Sequence, residues 1–341
     1  MALICAVTVL SGVTGTAHAS PAKPTPPKSG SLEDVRKKID RLYHDAGLAT
    51  EAYNAAEEKT KKQSERIVSL ARDIAKGQAK LDKLKAQAGA AARAQYRNGG
   101  MPDEAQLMLS DDPQEFLDGA GRMRQGEKAT KGMLGELART QEELAAYAKD
   151  ASAQWKKLEA NRKAKAASKK KIKKQIAAAK ALESKLEKKE RERLRKLEEE
   201  EALKKQSAWV SSGVLKDIRG RASGQGKKAV EFATDQIGKP YVWGAEGPSS
   251  YDCSGLTSQA WAAAGRGIPR TSQEQWKQLP HIDIKNMRPG DLIIYHSDAS
   301  HVGMYLGDGA IVHAPRPGRN VTITGAGSMQ ILGVVRPDAK S

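Results

Sequence analysis

The stretch Tyr251-Asp252-Cys253-Ser254-Gly255 decides how this chain of 341 residues is interpreted. Of the two cysteines, Cys5 lies inside an apparent signal peptide, so Cys253 is the thiol that a mature protein would keep. One cysteine with histidines elsewhere in the chain is the pattern of a candidate catalytic nucleophile. Two histidines, His301 and His313, follow in predicted strands. The hypothesis is therefore a Cys/His site.

A predicted helix, Ser254 to Ala264, follows Cys253 directly and ends at Gly265. A thiolate at a helix N-terminus is stabilised by the positive end of the dipole, which predicts a lowered pKa for Cys253. The unpaired backbone N–H groups there could also hold an oxyanion. The alternative is a small buried cysteine that fills a gap in the core.

The two histidines lie on strands joined by the loop Gly307-Asp308-Gly309. A two-residue turn would place His301 and His313 on opposite faces, whereas a three-residue loop would pair Gly303 with His313 and place both on one face. A shared face suits a relay in which His301 takes the thiol proton and His313 orients its ring. A buried core histidine is the alternative for His313.

The formal charge of +17 is concentrated in the first two thirds of the chain, because residues from Lys227 onward carry only +2. A basic region of this kind binds nucleic acid, an anionic membrane or an anionic wall polymer. Residues 1–19 resemble a signal peptide, with the small-x-small site Ala17-His18-Ala19 before Ser20. No Lys or Arg precedes the apolar run, so either the true start lies upstream or the signal is atypical. We expect a secreted, cell-wall-associated protein and no nucleic-acid partner.

Residues 20–31 form a Pro-rich tether, and residues 32–205 are predicted to form an antiparallel coiled-coil hairpin with its tip near 96–120. Apolar heptads run from Leu32 to Ala91. Asn98-Gly99-Gly100-Met101-Pro102 then breaks the helix. A second helical stretch continues the seam. Its predicted seam residues are Leu134, Leu137, Leu144, Ala148, Ala151, Trp155, Leu158, Ile172, Ile176, Ala179, Leu182 and Leu186.

Two stretches of the second helix depart from this pattern. Asn161 to Lys174 is dominated by lysine and alanine, and the apolar seam lapses there. The Glu/Lys/Arg run from Leu186 to Lys205 is predicted to be a solvated single helix.

Residues 206–226 are predicted to be a Gly-rich linker, and residues 227–341 a globular domain. The fold class is α+β: a long helical hairpin, then a domain with an antiparallel sheet. Thr271-Ser272-Gln273-Glu274 is a capping box, and Arg270 before it is either structural or substrate-facing. The sequence has neither metal-ligand spacing nor a phosphate loop, so we expect no metal and no cofactor.

From Lys227 to Pro337 the chain resembles the NlpC-type, papain-like cell-wall endopeptidases. Five blocks carry the resemblance: Gly238-Lys239-Pro240-Tyr241-Val242-Trp243-Gly244, Asp252-Cys253-Ser254-Gly255-Leu256, Ile268-Pro269-Arg270, Arg288-Pro289-Gly290-Asp291-Leu292 and His301-Val302-Gly303-Met304-Tyr305-Leu306-Gly307. Ala245, where a second glycine often follows Trp-Gly, departs from the family pattern.

This resemblance implies a secreted cysteine endopeptidase that hydrolyses peptidoglycan stem peptides, usually at the D-glutamyl-diamino acid bond. It implies that Cys253 is the nucleophile, His301 the base and His313 the orienting residue. The same resemblance places an oxyanion-side tyrosine at Tyr241. Residues that contact the stem peptide fall on the two neighbours of the nucleophile, Asp252 and Ser254.

The N-terminal region also resembles the coiled-coil arms of secreted peptidoglycan hydrolases. That resemblance implies docking to a membrane-bound division or elongation complex, and shielding of the catalytic groove. The basic charge would meet an anionic wall polymer or lipid headgroups, or would be only a solvated coiled-coil surface. Two rival functions remain at this stage: a catalytically silent cell-wall scaffold or activator, and an amidase or acyl transferase on the same fold.

Overall fold

The computed structural model describes residues 29–97, 105, 108, 113–218 and 220–339. The predicted signal peptide, most of the tether and the helix breaker at 98–102 lie outside the described residues. Most of the predicted tip also lies outside them. Pro113, which lies within the predicted tip, begins the second long helix.

Two long helices form the N-terminal part: α1, Ser29–Arg97, and α2, Pro113–Ser184. They run antiparallel, because Lys80 pairs with Glu136 at 2.8 Å while Glu57 pairs with Lys165 at 2.6 Å. We call this pair of helices the arm. At 1.5 Å per residue, α2 is about 110 Å long. Across the described residues, no helix carries the long apolar run that crossing a membrane requires.

The seam of the arm is built from the predicted heptad positions, because these place apolar side chains on one stripe of each helix. Gly77 lets the two helices approach each other closely, because a Cβ at this position would lie 2.8 Å from Leu144 Cδ2. The prediction is wrong at Leu134 and Trp155, which are each 54% exposed. Buried residues of the predicted seam are Leu32, Ile39, Ala46, Ala49, Ala56, Leu70, Leu81, Leu84, Leu158, Ile172, Ala179 and Leu186.

A third helix, α3 (Lys188–Ser211), follows a turn and joins the arm to the domain. It is not the solvated single helix that its charges predict. Leu194 is buried in a cluster with residues of α1, and at the other end Gln206 donates to the Gly309 carbonyl and accepts from Gly327 N–H. Within the predicted linker, 206–226, the chain also forms a short helix, α4 (Val214–Asp217).

The C-terminal domain packs three helices against one antiparallel sheet, which confirms the predicted fold class. The helices are α5 (Gly224–Thr234), α6 (Cys253–Ala263) and α7 (Ser272–Gln278). The strands are β1 (His281–Ile282), β2 (Leu292–Tyr295), β3 (His301–Gly307), β4 (Ala310–His313), β5 (Thr322–Gly325) and β6 (Ile331–Val335), in the order β1-β6-β2-β3-β4-β5.

Gly307 pairs with Ala310 across the two-residue turn Asp308-Gly309, and a shift of register between Tyr305 and Gly307 then gives the strands the pairing predicted for a three-residue loop. Met304 lies opposite Val312, so the same register places Gly303 opposite His313. Asp308 has a φ of 51° between two glycines that also have positive φ, a conformation that asparagine, aspartate and glycine tolerate best. The hairpin therefore places both histidines on one face.

We expect Ile172→Ala to destabilise the arm by about 3 kcal/mol, because it leaves a cavity at a fully buried position of the seam. The measurement is urea unfolding followed by helical circular dichroism. Leu134→Ala, at an exposed position of the same helix, is the control and should change the free energy of unfolding by less than about 0.5 kcal/mol. Equal losses in both variants would contradict the assigned seam.

Candidate active site

Cys253 is the first residue of α6, where Asp252 caps the helix. An Asp252 carboxylate oxygen accepts from Gly255 N–H at 2.7 Å, satisfying one of the N–H groups that the helix leaves unpaired. Because the cap fixes where α6 begins, it also fixes the direction of the Cys253 side chain. The thiol is buried and unpaired with any other cysteine of the described chain.

Asp252 also connects this helix to the loop before it and to Arg270. Its second oxygen accepts from Gly244 N–H at 2.9 Å, and Arg270 donates to both oxygens at 3.0 and 2.8 Å. Arg270 further donates to Ser254 Oγ at 2.9 Å and pairs with Glu246. The Asp252 side chain is therefore engaged within the protein, and Arg270, whose role the sequence left open, belongs to the site.

The two histidines form a hydrogen-bonded pair, with His301 Nε2 2.8 Å from His313 Nδ1. Both rings are buried, and burial lowers the pKa of His301 well below its usual value and that of His313 to about 4. Cys253, Tyr241 and both histidines line one cavity of about 470 Å³. The structure thus brings the predicted nucleophile, base, orienting residue and tyrosine together. Ser254 and Asp252 lie beside them.

A carboxylate of the arm occupies this site. Glu51 of α1 accepts from Cys253 Sγ at 3.5 Å, from Ser254 Oγ at 2.8 Å and from Ser272 N–H at 2.9 Å. One turn further along the helix, Asn54 donates to Asp252 at 3.0 Å. Among the described residues, the hydrogen bond of the thiol goes to Glu51 and not to a histidine.

This arrangement corrects the prediction of a lowered thiol pKa. Burial raises the pKa of Cys253 well above its usual value, and the neighbouring carboxylates of Glu51 and Asp252 raise it further. Burial and Asp252 also raise the pKa of Glu51, to about 7. The helix dipole stabilises the thiolate less than burial and the two carboxylates destabilise it. The thiol is therefore neutral while the arm is docked.

Several contacts around the site hold the arm in this position. Tyr53 meets Trp243 edge-to-face at 5.2 Å between ring centroids, and His44 Nε2 lies 2.9 Å from an Asp298 oxygen. Further along, the Arg316 guanidinium stacks over Tyr43 at 4.1 Å. We call residues 46–54 of α1, which include Glu51, Tyr53 and Asn54, the docked segment.

Glu51 and Asn54 were not predicted to be site residues, because both lie outside the apolar heptad positions. A usable indication exists in the composition of the helix. From Ala46 to Ala56 the chain carries one charged residue, Glu51, within a helix otherwise dense in Lys, Arg, Asp and Glu. A long solvated helix has no reason to lose its charges over three turns, whereas a helix that packs against a second surface does.

The described residues contain no group of three or more His, Cys, Asp or Glu side chains arranged to hold a metal ion. The site instead contains the Cys253 thiol, the imidazole pair His301 and His313, and backbone N–H donors at the start of α6. These are the components of a papain-like cysteine hydrolase.

Residues 238–330 match the sequence profile of the NlpC/P60 family. The chain belongs to this family through its C-terminal domain, and the five motif blocks quoted above lie within or beside that match.

Curated relatives align with the same domain. A probable endopeptidase of Corynebacterium glutamicum is 45% identical over 93 residues, which are 27% of this chain and 44% of that protein. The probable endopeptidase p60 of Listeria monocytogenes is 43% identical over 84 residues, 24% of this chain and 17% of that one. The chain spans less than half the length of the curated relatives that it matches.

Among solved structures, the NlpC/p60 domain of the peptidoglycan hydrolase SagA is similar at 33% identity. The alignment covers 33% of this chain and 97% of that one, with a TM-score of 0.31.

We expect the docking of Glu51 to weaken as the pH rises. A solvated glutamate titrates near 4.5 and the docked one near 7, so docking is most stable below about pH 4.5 and loses stability up to about pH 7. The measurement is the rate at which Cys253 reacts with dithiodipyridine in the wild-type chain and in Glu51→Gln. The rate for the wild-type chain divided by the rate for Glu51→Gln should rise at least about tenfold between pH 5 and pH 8.

The Glu51→Gln chain is a matched control, because in the undocked form, which is the form that reacts, the thiol and the histidines have the same surroundings in both proteins. A ratio that stays constant with pH would contradict a docked Glu51 with a raised pKa.

Proposed function

We propose that the protein is a secreted cysteine endopeptidase that hydrolyses peptidoglycan stem peptides at the D-glutamyl-diamino acid bond, and that the arm holds it inactive. The observation that carries the proposal is the cavity shared by Cys253 and the hydrogen-bonded pair His301 and His313. Membership of the NlpC/P60 family and the endopeptidase names of its relatives support the reaction class. Secretion is supported by the signal-like residues 1–19.

In the proposed reaction, His301 takes the proton of Cys253 and the thiolate attacks the carbonyl carbon of the scissile amide. His313 Nδ1 accepts the Nε2–H of His301, which leaves Nδ1 of His301 as the basic nitrogen. The tetrahedral intermediate expels the amine, which receives the proton from His301, and a thioester remains. Water, deprotonated by His301, hydrolyses the thioester and restores the thiol.

The surrounding groups fit the charges of this sequence. Cys253 is the first residue of α6, and Tyr241 lines the same cavity. In the proposed reaction the backbone N–H groups that open α6 and the Tyr241 hydroxyl donate to the oxyanion. Ser300 also lines the cavity, and its buried hydroxyl has no hydrogen-bond partner within the described chain. We assign it to substrate binding.

The arm would inhibit by occupying the position of the substrate. Glu51 lies in hydrogen-bond contact with the nucleophile and with Ser254, so a peptide carbonyl cannot approach Sγ while the docked segment is in place. The Glu51 carboxylate accepts from Ser272 N–H and lies near Arg270. A substrate carboxylate would find the same donors, and the arm and a carboxylate-bearing stem peptide would then compete for one site.

Glu51→Lys tests both the activity and its inhibition. We expect it to increase hydrolysis of purified peptidoglycan at least about tenfold, because burying a second cation beside Arg270 costs several kcal/mol and displaces the arm. New amine ends, identified by mass spectrometry, report the bond that is cut. Glu65→Lys, an exposed position of the same helix, makes the same charge change and should leave the rate unaltered.

The double variant Glu51→Lys, Cys253→Ala should release no new ends. Residual cleavage by that variant would exclude Cys253 as the nucleophile. If Glu51→Lys labels readily with a thiol reagent but cuts nothing, the domain is a binding module and the scaffold function replaces the endopeptidase.

His313 can be tested in the Glu51→Lys chain. We expect His313→Ala to lower kcat about 10- to 100-fold with little change in KM, because an imidazole without its partner loses orientation and basicity. His313→Asn, whose carbonyl oxygen can accept the same hydrogen bond, should recover part of kcat. Equal rates for the Ala and Asn variants would show that His313 serves only to fill the core.

A further inference from the structure

The outer surface of α2 carries a band of positive charge that the catalytic proposal does not use. Between Glu159 and Glu183 the chain has nine Lys and Arg residues and no acidic residue. Eight of them are exposed, and we call the seven between Arg162 and Lys174 the basic stripe. The basic stripe consists of Arg162, Lys163, Lys169, Lys170, Lys171, Lys173 and Lys174.

The stripe faces away from the rest of the protein. Ile172 is buried against α1, and the inward-facing Lys165 pairs with Glu57. Residues seven apart on a helix lie within about 20° of one direction, so Arg162 aligns with Lys169 and Lys163 with Lys170. The stripe covers about 200° of the helix circumference over about 18 Å of length.

The charges of the stripe are almost entirely uncompensated. Lys163 lies 2.8 Å from Glu159, and none of the other six has a carboxylate within 4.0 Å among the described residues. Like charges three and four residues apart, such as Lys169 with Lys173 and Lys170 with Lys174, destabilise a helix. The chain tolerates this repulsion in a stretch where alanines supply helix propensity and the apolar seam lapses.

We propose that the basic stripe binds a linear phosphate polymer, a flexible chain with one phosphodiester per short repeat unit. Lysine ammonium groups are compact point charges that suit single phosphodiester anions, and along each face of the stripe the basic residues lie about 6 to 11 Å apart. The set has no converging donors that would enclose one isolated phosphate. Its charge complementarity is with an extended chain.

Two features favour a polymer over an anionic bilayer. A flat membrane contacts only one side of a helix, whereas this stripe extends around more than half of the circumference, which a flexible chain can follow. Exposed positions from 160 to 174 also hold only basic residues and alanine, without the aromatic or large aliphatic side chains that anchor a helix in a lipid interface.

The stripe runs beside the docked segment but on the other side of the helix pair. Gln175 contacts Asp45, and Lys165 contacts Glu57, so the stripe and residues 46–54 occupy the same level of the arm. A polymer bound to the stripe therefore touches neither Glu51 nor the cavity. The protein can be held on the polymer while the arm is still docked.

The test measures binding of the full-length protein to a poly(glycerol phosphate) chain of about 20 units, from about 0.05 to 0.2 M salt, by fluorescence anisotropy. The variant Lys169→Gln, Lys170→Gln, Lys173→Gln, Lys174→Gln should bind at least about tenfold more weakly. Its slope of log Kd against log salt should fall by about three, as expected for the loss of four phosphate contacts.

The control variant removes four exposed lysines elsewhere on the arm: Lys83→Gln, Lys85→Gln, Lys128→Gln and Lys131→Gln. It has the same net charge, and its affinity should change by less than about twofold. Equal weakening in both variants would show that net charge alone attracts the polymer, and would overturn the proposal.

Two further comparisons bear on the ligand itself. Inorganic phosphate at millimolar concentration should not compete, since the stripe does not enclose one anion. Binding to phosphatidylglycerol vesicles as tight as binding to the polymer would overturn the proposal and assign the stripe to a membrane. Circular dichroism should be unchanged in both lysine variants, and the Tm of neither should fall. Cys253 labelling should be as slow as in the wild-type chain.

Discussion

The buried carboxylate of Asp252 is the constraint on which the rest of the site depends. One side chain caps the helix of the nucleophile, holds the preceding loop through Gly244 and receives two hydrogen bonds from Arg270. A buried carboxylate is stable only with such partners, so the site forms as a unit around it. The arm joins the same network through Asn54, and the docked segment is thereby aligned with the nucleophile.

The docked arm changes the chemistry of the site as well as its access. Without it, a thiol at a helix N-terminus beside an imidazole would be poised to ionise. With it, two carboxylates face the thiol and solvent is excluded, so the neutral forms of cysteine and histidine are favoured. Displacement of the arm therefore has two effects, since it opens the groove and removes Glu51 from beside the thiol. The proposed inhibition needs no conformational change within the C-terminal domain.

Much of the fold could be predicted from the sequence, because its signals are local. Heptad spacing indicated both long helices. The loop Gly307-Asp308-Gly309 limited the hairpin to two registers. The structure has the register that pairs Gly303 with His313. The Cys/His pattern and the position of Cys253 at the start of a predicted helix indicated the site. Contacts between distant segments gave no such signal. The Glu51–Cys253 contact joins residues 202 positions apart, and burial of the thiol, with the Glu51 carboxylate beside it, raises the pKa of Cys253.

The junction between α3 and the domain gives the arm mechanical properties. Gln206 and Trp209 fix α3 against Gly309 and Gly327, so the turn at 185–187 is the natural pivot between the arm and the domain. Measured along α2, the tip of the arm lies about 110 Å from this pivot, while the level of Glu51 lies only about 20 Å away. The arm is therefore a lever with an advantage of about fivefold, so a weak sideways force at the Pro113 end of α2 becomes a force about five times larger at the level of Cys253.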